Sequence, residues 1–525
     1  MTGRTPFAVI ALATLTAQSQ PAAPVRTTDA GRVEGIALSS GVDAFLGVPF
    51  AAPPVRDLRW KPPRPRRTWS GVYHADRFAP ECLQPLRSSR QNHYFGEEAT
   101  SEDCLYLNIW APRTAKKAPV VVWIYGGGFT IGSASMANYS GEPLARSGVV
   151  RVNLAYRVGA LGFLAHPALS REQQGRSGNY GLMDQIAGLQ WVRRNIARFG
   201  GDPENVTIVG QSAGSMSVAL LQASPAARGL FRRAVGMSGS PFGGMLGPAP
   251  LATGETQGAE LAAALGATTL GALRAVPADR IVAAQGARVS IVQDGHIVTG
   301  PAESVFVGRR QNDVPVLIGY TRDESFRPFD RIADRTGLIA AVRERYGARA
   351  DAILKVYDSG DASRDAADIA RDASVGVQMA AWASYQRRYG TAPAYAYLFT
   401  RRQPYAPGIT FSDHDPATAG AYHTGDVPYW LRTRDSLNLF RRTRDWEPGD
   451  VSLEREMSDA LLSFARTGVP TSPTVGRWPA FDPTDPRLVR LAPRSEIVAW
   501  PHYRDIALFD GAAVPPRPAG ARPRD

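Results

Sequence analysis

Uninterrupted apolar runs constrain this chain more than any other feature. Val120-Val121-Val122-Trp123-Ile124-Tyr125 is one; residues 206–209, 234–237, 314–318 and 395–399 continue the series, and residues 149–154 join it despite Arg151 and Asn153. A strand with one wet face alternates apolar and polar residues. A strand that does not alternate is covered on both faces, which is the condition of a parallel sheet between helical layers. Helical periods lie between the runs. Residues 184–198 place Ile186, Leu189, Val192 and Ile196 on one face, beside a polar face of Gln190, Arg193 and Arg194. The alternation predicts an α/β chain whose mostly parallel central sheet carries helices on both faces. Residues 24–60 read as short strands, including Ala44-Phe45-Leu46-Gly47-Val48. The Ala-rich helical stretches 250–310 and 330–390 interrupt the rhythm and are expected to form pocket walls.

Composition narrows the class. With 44% apolar residues in 525, most of the chain has enough material for a core, so extensive disorder is excluded. The net charge of +12 is spread along the chain without a block of five like charges. No nucleic-acid-binding motif accompanies it, and no nucleic-acid partner is expected. Arg4, the apolar residues 7–17 and the small residues of Ala17-Gln18-Ser19 read as a signal peptide over residues 1–19, with Ala22-Ala23 as a later cleavage option. The protein is therefore expected to be secreted or periplasmic. No run reaches the roughly 18 apolar residues of a membrane span. One folded domain is expected over residues 24–512, and a disordered Pro/Arg-rich tail over 513–525. In an oxidising compartment Cys82 and Cys104 are near enough in sequence to pair; two buried free thiols are the alternative. Two thiols alone do not make a structural zinc site, and no metal is expected.

Gly210-Gln211-Ser212-Ala213-Gly214 follows the strand-like residues 206–209 and precedes the helical residues 215–222. A G-x-S-x-G in that context makes a tight strand-to-helix turn that exposes the serine hydroxyl at the sheet's carboxyl edge. The helix N-terminus there favours developing negative charge. Gly126-Gly127-Gly128-Phe129 follows another strand, where glycines let backbone N–H groups approach a substrate oxygen. Glu324 and Asp323 both follow the strand at 314–318, and His414 and His423 both follow the strand at 395–399.

These residues resemble the type-B carboxylesterase/cholinesterase family of the α/β-hydrolase fold. The likeness rests on Glu102-Asp103-Cys104-Leu105-Tyr106-Leu107-Asn108-Ile109 and on Phe199-Gly200-Gly201-Asp202-Pro203-Glu204-Asn205-Val206-Thr207 running into the elbow. Gly178-Asn179-Tyr180-Gly181-Leu182-Met183-Asp184-Gln185 and Tyr156-Arg157-Val158-Gly159 are also similar, and the likeness spans about residues 28 to 505. The resemblance implies an α/β-hydrolase domain and a serine carboxylesterase without a cofactor, acting on a small-molecule ester; with the signal peptide, an exported one is expected. It implies Ser212 as nucleophile, Glu324 as acid and His423 as base. Gly127, Gly128 and Ala213 match the oxyanion donors, and Cys82–Cys104 the first disulfide.

Phe129, Gln211, Phe242 and Tyr94 are expected at the substrate pocket. The family's cation-binding tryptophan would fall near Tyr94, and its absence disfavours choline esters. Asp426 stands where a glutamate is common, Ser325 where a glycine is, and Ala155 where an asparagine is; Arg151 sits within a buried strand. An inactive binding or adhesion module, and a specialised amide, lipid, polyester or toxin-ester hydrolase, are the alternative readings. Physiological substrate and oligomeric state are left open.

Overall fold

The apolar runs assemble into one sheet. The computed structural model describes residues 22–510 apart from 93, 97, 244–246, 287–289, 325–328, 330, 331 and 333. The expected signal peptide, the expected tail and Ser325 therefore lie outside the described residues. In chain order the sheet strands are β1 (Ile36–Ala37), β2 (Val42–Pro49), β3 (Tyr106–Pro112), β4 (Ala118–Ile124), β5 (Val150–Leu154) and β6 (Gly201–Gln211). They continue as β7 (Arg233–Met237), β8 (Val316–Thr321), β9 (Ala394–Phe399), β10 (Arg487–Leu491) and β11 (Glu496–Ala499). Their order across the sheet is β11-β10-β9-β8-β7-β6-β4-β5-β3-β2-β1.

Neighbours from β10 to β5 pair in parallel, while β11 at one edge and β3, β2 and β1 at the other are antiparallel. The parallel centre is where the non-alternating runs fall. Val120 through Ile124 are fully buried, as a strand covered on both sides must be. Helix α1 (Tyr180–Asn195) buries Ile186, Leu189 and Val192 and leaves Gln190, Arg193 and Arg194 exposed, as its period predicts. Helix α2 (Ala213–Ala223) follows β6 directly. The two insertions are helical and carry small cores of their own, one around Leu261, Leu273 and Ile281 and the other around Leu338, Ile353 and Ile369.

Arg151 lies in β5 without exposed surface. Its guanidinium donates to the Val152 carbonyl at 3.0 Å and stands over the Trp123 ring, while Nε and Nη2 have no partner among the described residues. Burial without a carboxylate pulls its pKa down to about 9.

Chain direction places the chemistry. The carboxyl ends of β4, β6, β8 and β9 share one edge of the sheet because these strands are parallel. From β4 the chain proceeds to β5 on one side and reaches β6 on the other, so the loops diverge and open a crevice.

Candidate active site

Four loops at that edge bring the sequence-predicted residues together. After β6 the backbone turns sharply at Ser212, which has φ 57° and ψ −124°. A non-glycine residue in such a conformation is strained, and the surroundings must hold it there. The Ser212 N–H donates to the Met237 carbonyl at 2.7 Å, and Ser215 Oγ, one turn into α2, donates to the Gly239 carbonyl at 2.5 Å. Glycine is obligatory on both sides. A Cβ at Gly210 would stand 2.2 Å from the Gly214 carbonyl oxygen, and one at Gly214 would stand 2.1 Å from that of Ile124. Ser212 itself is half-buried.

The loop after β4 lies against the elbow. Gly127 has φ +117°, Gly128 +60° and Phe129 +62°. The Gly127 carbonyl accepts from the N–H groups of Thr130 and Ile131, each at 3.1 Å, and the Gly159 N–H donates to the Phe129 carbonyl at 2.6 Å. The N–H groups of Gly127 and Gly128 donate to no acceptor among the described residues. A buried ion pair braces the segment behind them: Arg157 donates to both Asp184 oxygens at 2.8 Å. Gln285, from the first helical insertion, accepts the Ala160 N–H at 2.8 Å.

Glu324 follows β8 and is 2% exposed. Its Oε1 accepts from the Thr321 N–H at 3.2 Å and the Thr321 hydroxyl at 3.0 Å, which fixes the carboxylate's orientation. Its Oε2 is hydrogen-bonded to His423 Nδ1. Burial alone would lower the His423 pKa; the Glu324 charge and hydrogen bond, helped by Asp426, outweigh it and hold the pKa above its ordinary value. The segment that carries His423 is clamped along its backbone. Asp323 accepts from the Ala421 N–H at 2.7 Å, Gln403 donates to the Gly425 carbonyl at 2.7 Å, and Gln211 Nε2 donates to the His423 carbonyl at 3.0 Å.

The two rival residues are engaged elsewhere. Asp323 is bonded to Arg322 and Arg364. His414 bonds the Tyr405 hydroxyl and sits among the rings of Tyr405, Phe411 and Tyr422.

The four expected pocket residues are placed differently from one another. Phe129 is nearly buried, edge-on to Phe163. Phe242 is enclosed by Phe306, Trp382 and Tyr385, so it lies within the wall behind any pocket surface. Gln211 is 2% exposed, its amide turned to the base segment. Tyr94 is half-buried against the exposed Phe440.

Cys82 and Cys104 form a disulfide. The loop it closes reaches the base side: Asn92 accepts from Arg444 at 2.7 Å, and the Asn92 N–H donates to Asp413 at 2.9 Å.

Thr321, Tyr397 and Gln403 escaped the sequence reading because no local motif marks them. Tyr397 donates to Asp426 at 2.8 Å, and burial lifts the Asp426 pKa to about 7. Among the described residues no cluster of three or more His, Cys, Asp or Glu could hold a metal ion, and no helix is long and apolar enough to cross a membrane.

Known proteins are similar to this chain along nearly its whole length. The model of the carboxylesterase family matches residues 22–503. A fumonisin B1 esterase of Sphingopyxis macrogoltabida is 38% identical, over 89% of this chain and 86% of its own. A para-nitrobenzyl esterase of Bacillus subtilis (strain 168) is 34% identical, over 87% of this chain and 92% of its own. A solved PNB esterase superposes with a TM-score of 0.79 at 31% identity, covering 92% of this chain and 99% of the other. The sheet is thus that of an α/β-hydrolase, its substrates are small-molecule esters, and the chain belongs to the carboxylesterase family of carboxylic-ester hydrolases.

Proposed function

We propose that this esterase works through a Ser212–His423–Glu324 triad and an acyl-enzyme intermediate, and that it acts outside the cytoplasm. One observation carries the catalytic reading. Glu324, anchored through Thr321, bonds His423 Nδ1, while the residue preceding Ser212 bonds the His423 backbone. A carboxylate on Nδ1 leaves Nε2 as the nitrogen able to take a proton, which is the tautomer a serine hydrolase needs.

In this mechanism His423 Nε2 removes the Ser212 hydroxyl proton as Oγ attacks the ester carbonyl carbon. The carbonyl oxygen takes up the negative charge and is met by the N–H groups of Gly127, Gly128 and Ala213. Imidazolium then protonates the departing alcohol oxygen, and the tetrahedral species collapses to the acyl-enzyme. Water, deprotonated by the same imidazole, attacks the acyl carbon and releases the acid and free Ser212. Glu324 remains ionised throughout and stabilises the imidazolium.

Export is supported by the n-region, apolar segment and small-residue cleavage site at the N-terminus, and by the disulfide, since such bonds persist in oxidising compartments. The absence of tryptophan from the Cys82–Cys104 loop favours neutral esters over choline esters of the same acid.

The decisive experiment is Ser212→Ala, assayed on p-nitrophenyl esters with circular dichroism to confirm folding. A folded, inactive protein is expected; a folded protein with wild-type turnover would overturn the triad. N-terminal sequencing of the mature protein tests export, with a start beyond residue 19 expected.

A further inference from the structure

Gln211 touches three parts of the catalytic apparatus and almost no solvent. It is the last residue of β6, covalently joined to Ser212, and it is 2% exposed. On one side it lies against the glycine loop, where a Cβ at Gly126 would stand 2.5 Å from the Gln211 carbonyl oxygen and 3.1 Å from its Oε1. On the other side its Nε2 donates to the His423 carbonyl at 3.0 Å. We infer that Gln211 is a positioning residue, whose side-chain amide couples the nucleophile's turn to the base's segment and sets the separation of Ser212 and His423.

The chemistry of the contact selects an amide. The acceptor is a backbone carbonyl, so the partner must donate. Glutamine donates at every pH, and an apolar isostere never does. A glutamate donates only while protonated; ionised, it would set carboxylate lone pairs against carbonyl lone pairs. Glycine at 126 is what lets the side chain pass beneath the loop, so the contact depends on both segments.

The other clamps on residues 421–426 come from farther away: Asp323 on Ala421, Gln403 on Gly425, and Tyr397 on Asp426. None of these three residues adjoins Ser212 in the chain. Gln211 does, and small displacements of reacting groups are expensive, with about 1 Å costing up to about a hundredfold in rate.

The inference rests on the triad proposed above, and its test separates the two. Gln211→Met keeps length and bulk without a donor, and kcat is expected to fall tenfold to a hundredfold with KM within about twofold, because the substrate does not meet a buried side chain. Gln211→Glu supplies a donor that can be switched. Buried against the glycine loop and the His423 carbonyl, its carboxyl would hold its proton to higher pH than an ordinary glutamate. Its kcat is expected to approach wild type where that carboxyl is protonated and to fall as pH rises through its pKa, a descending limb that wild type lacks over the same range. Wild-type kcat in Gln211→Met overturns the inference. Should Gln211→Met fold too poorly to assay, Gln211→Glu decides alone, and the wild-type pH profile there overturns the inference as well. In either case an inactive Ser212→Ala leaves the triad standing, whereas an active one removes the triad first.

Discussion

Nine positions apart in the chain, His414 and His423 occupy opposite electrostatic surroundings. His423 faces an ionisable oxygen, Glu324 Oε2, and its pKa is held above the ordinary 6.5 although burial opposes this. His414 faces three aromatic rings, one of which, Tyr405, bonds it through its phenol. Burial and the nearby Arg444 charge push its pKa down to about 4, with Asp413 and Asp415 offsetting only part. The two carboxylates beside them divide in the same way. Glu324 accepts from Thr321 on one oxygen and offers the other to the imidazole. Burial would raise the Asp323 pKa, but hydrogen bonds and charge from Arg322, Ala421 and Arg364 hold it below the usual range. The two imidazoles thus differ by one carboxylate oxygen aimed at His423 and none at His414.

The strongest way to break this contrast is to remove each imidazole. His423→Ala should lose about 10⁴-fold or more in kcat, since triad members act as a unit. His414→Phe, which keeps the aromatic packing, should stay within about threefold. Steady-state kinetics on one ester checks both, and an inactive His414→Phe beside an active His423→Ala would exchange the roles.

Exchanging the acids is the next largest effect. Glu324→Gln retains a hydrogen-bonding group but loses the charge that stabilises imidazolium, and about 10⁴-fold in kcat is expected by analogy with an aspartate-to-asparagine change in a serine protease. Asp323→Asn should cost less than about tenfold, because it disturbs only the anchoring of Ala421 and two arginines. Equal losses in the two variants would erase the difference between Glu324 and Asp323.

pH sharpens the comparison further. Neutral His423 is the active form, so kcat/KM should rise with pH along an acid limb centred above 6.5. In Glu324→Gln the raising charge is gone while burial remains, so the limb of the residual activity should move to lower pH. A limb that stays in place would mean that Glu324 does not set it.

The smallest effect is on stability. His414 binds a proton in the unfolded chain near pH 6.5 but in the folded chain only near 4. Its contribution to stability is therefore complete above about 6.5 and is lost as pH falls towards 4, because the unfolded state takes up the proton first. Thermal melts over that range should show a shallower decline of Tm with falling pH in His414→Phe than in wild type. An unchanged slope would place the wild-type decline on other groups.

Much of the architecture was legible because its causes are local. The runs that became β4 and β6 to β9 lack alternation, and a strand without alternation has two buried faces wherever it sits; β5 alternates in sequence yet is buried throughout. The elbow was legible for a similar reason, since Gly210 and Gly214 have no room for a Cβ and that constraint is written at those positions. Arg151 stood out in the sequence and stays out of pattern in the structure, a guanidinium with two nitrogens unmatched among the described residues. Gln211, within the elbow, and Phe242, after Ser240-Pro241, were expected at the pocket. Which way a side chain turns from such a position depends on neighbours far along the chain, such as His423 and Trp382.

The sequence by itself determined a parallel sheet between helices, a strained serine turn and a glycine loop after a neighbouring strand, because period, glycine placement and apolar runs act over a few residues. It left Glu324 beside Asp323 and His423 beside His414 as unresolved pairs, and a resemblance rather than any spacing favoured one of each. Tertiary structure decided which carboxylate reaches which imidazole. Asp323 is drawn off by Arg364 and Ala421, 41 and 98 positions away, while Glu324 meets His423 across 99. Charge and hydrogen bonding act through space, and adjacent residues on one loop part company only when the fold brings them different partners.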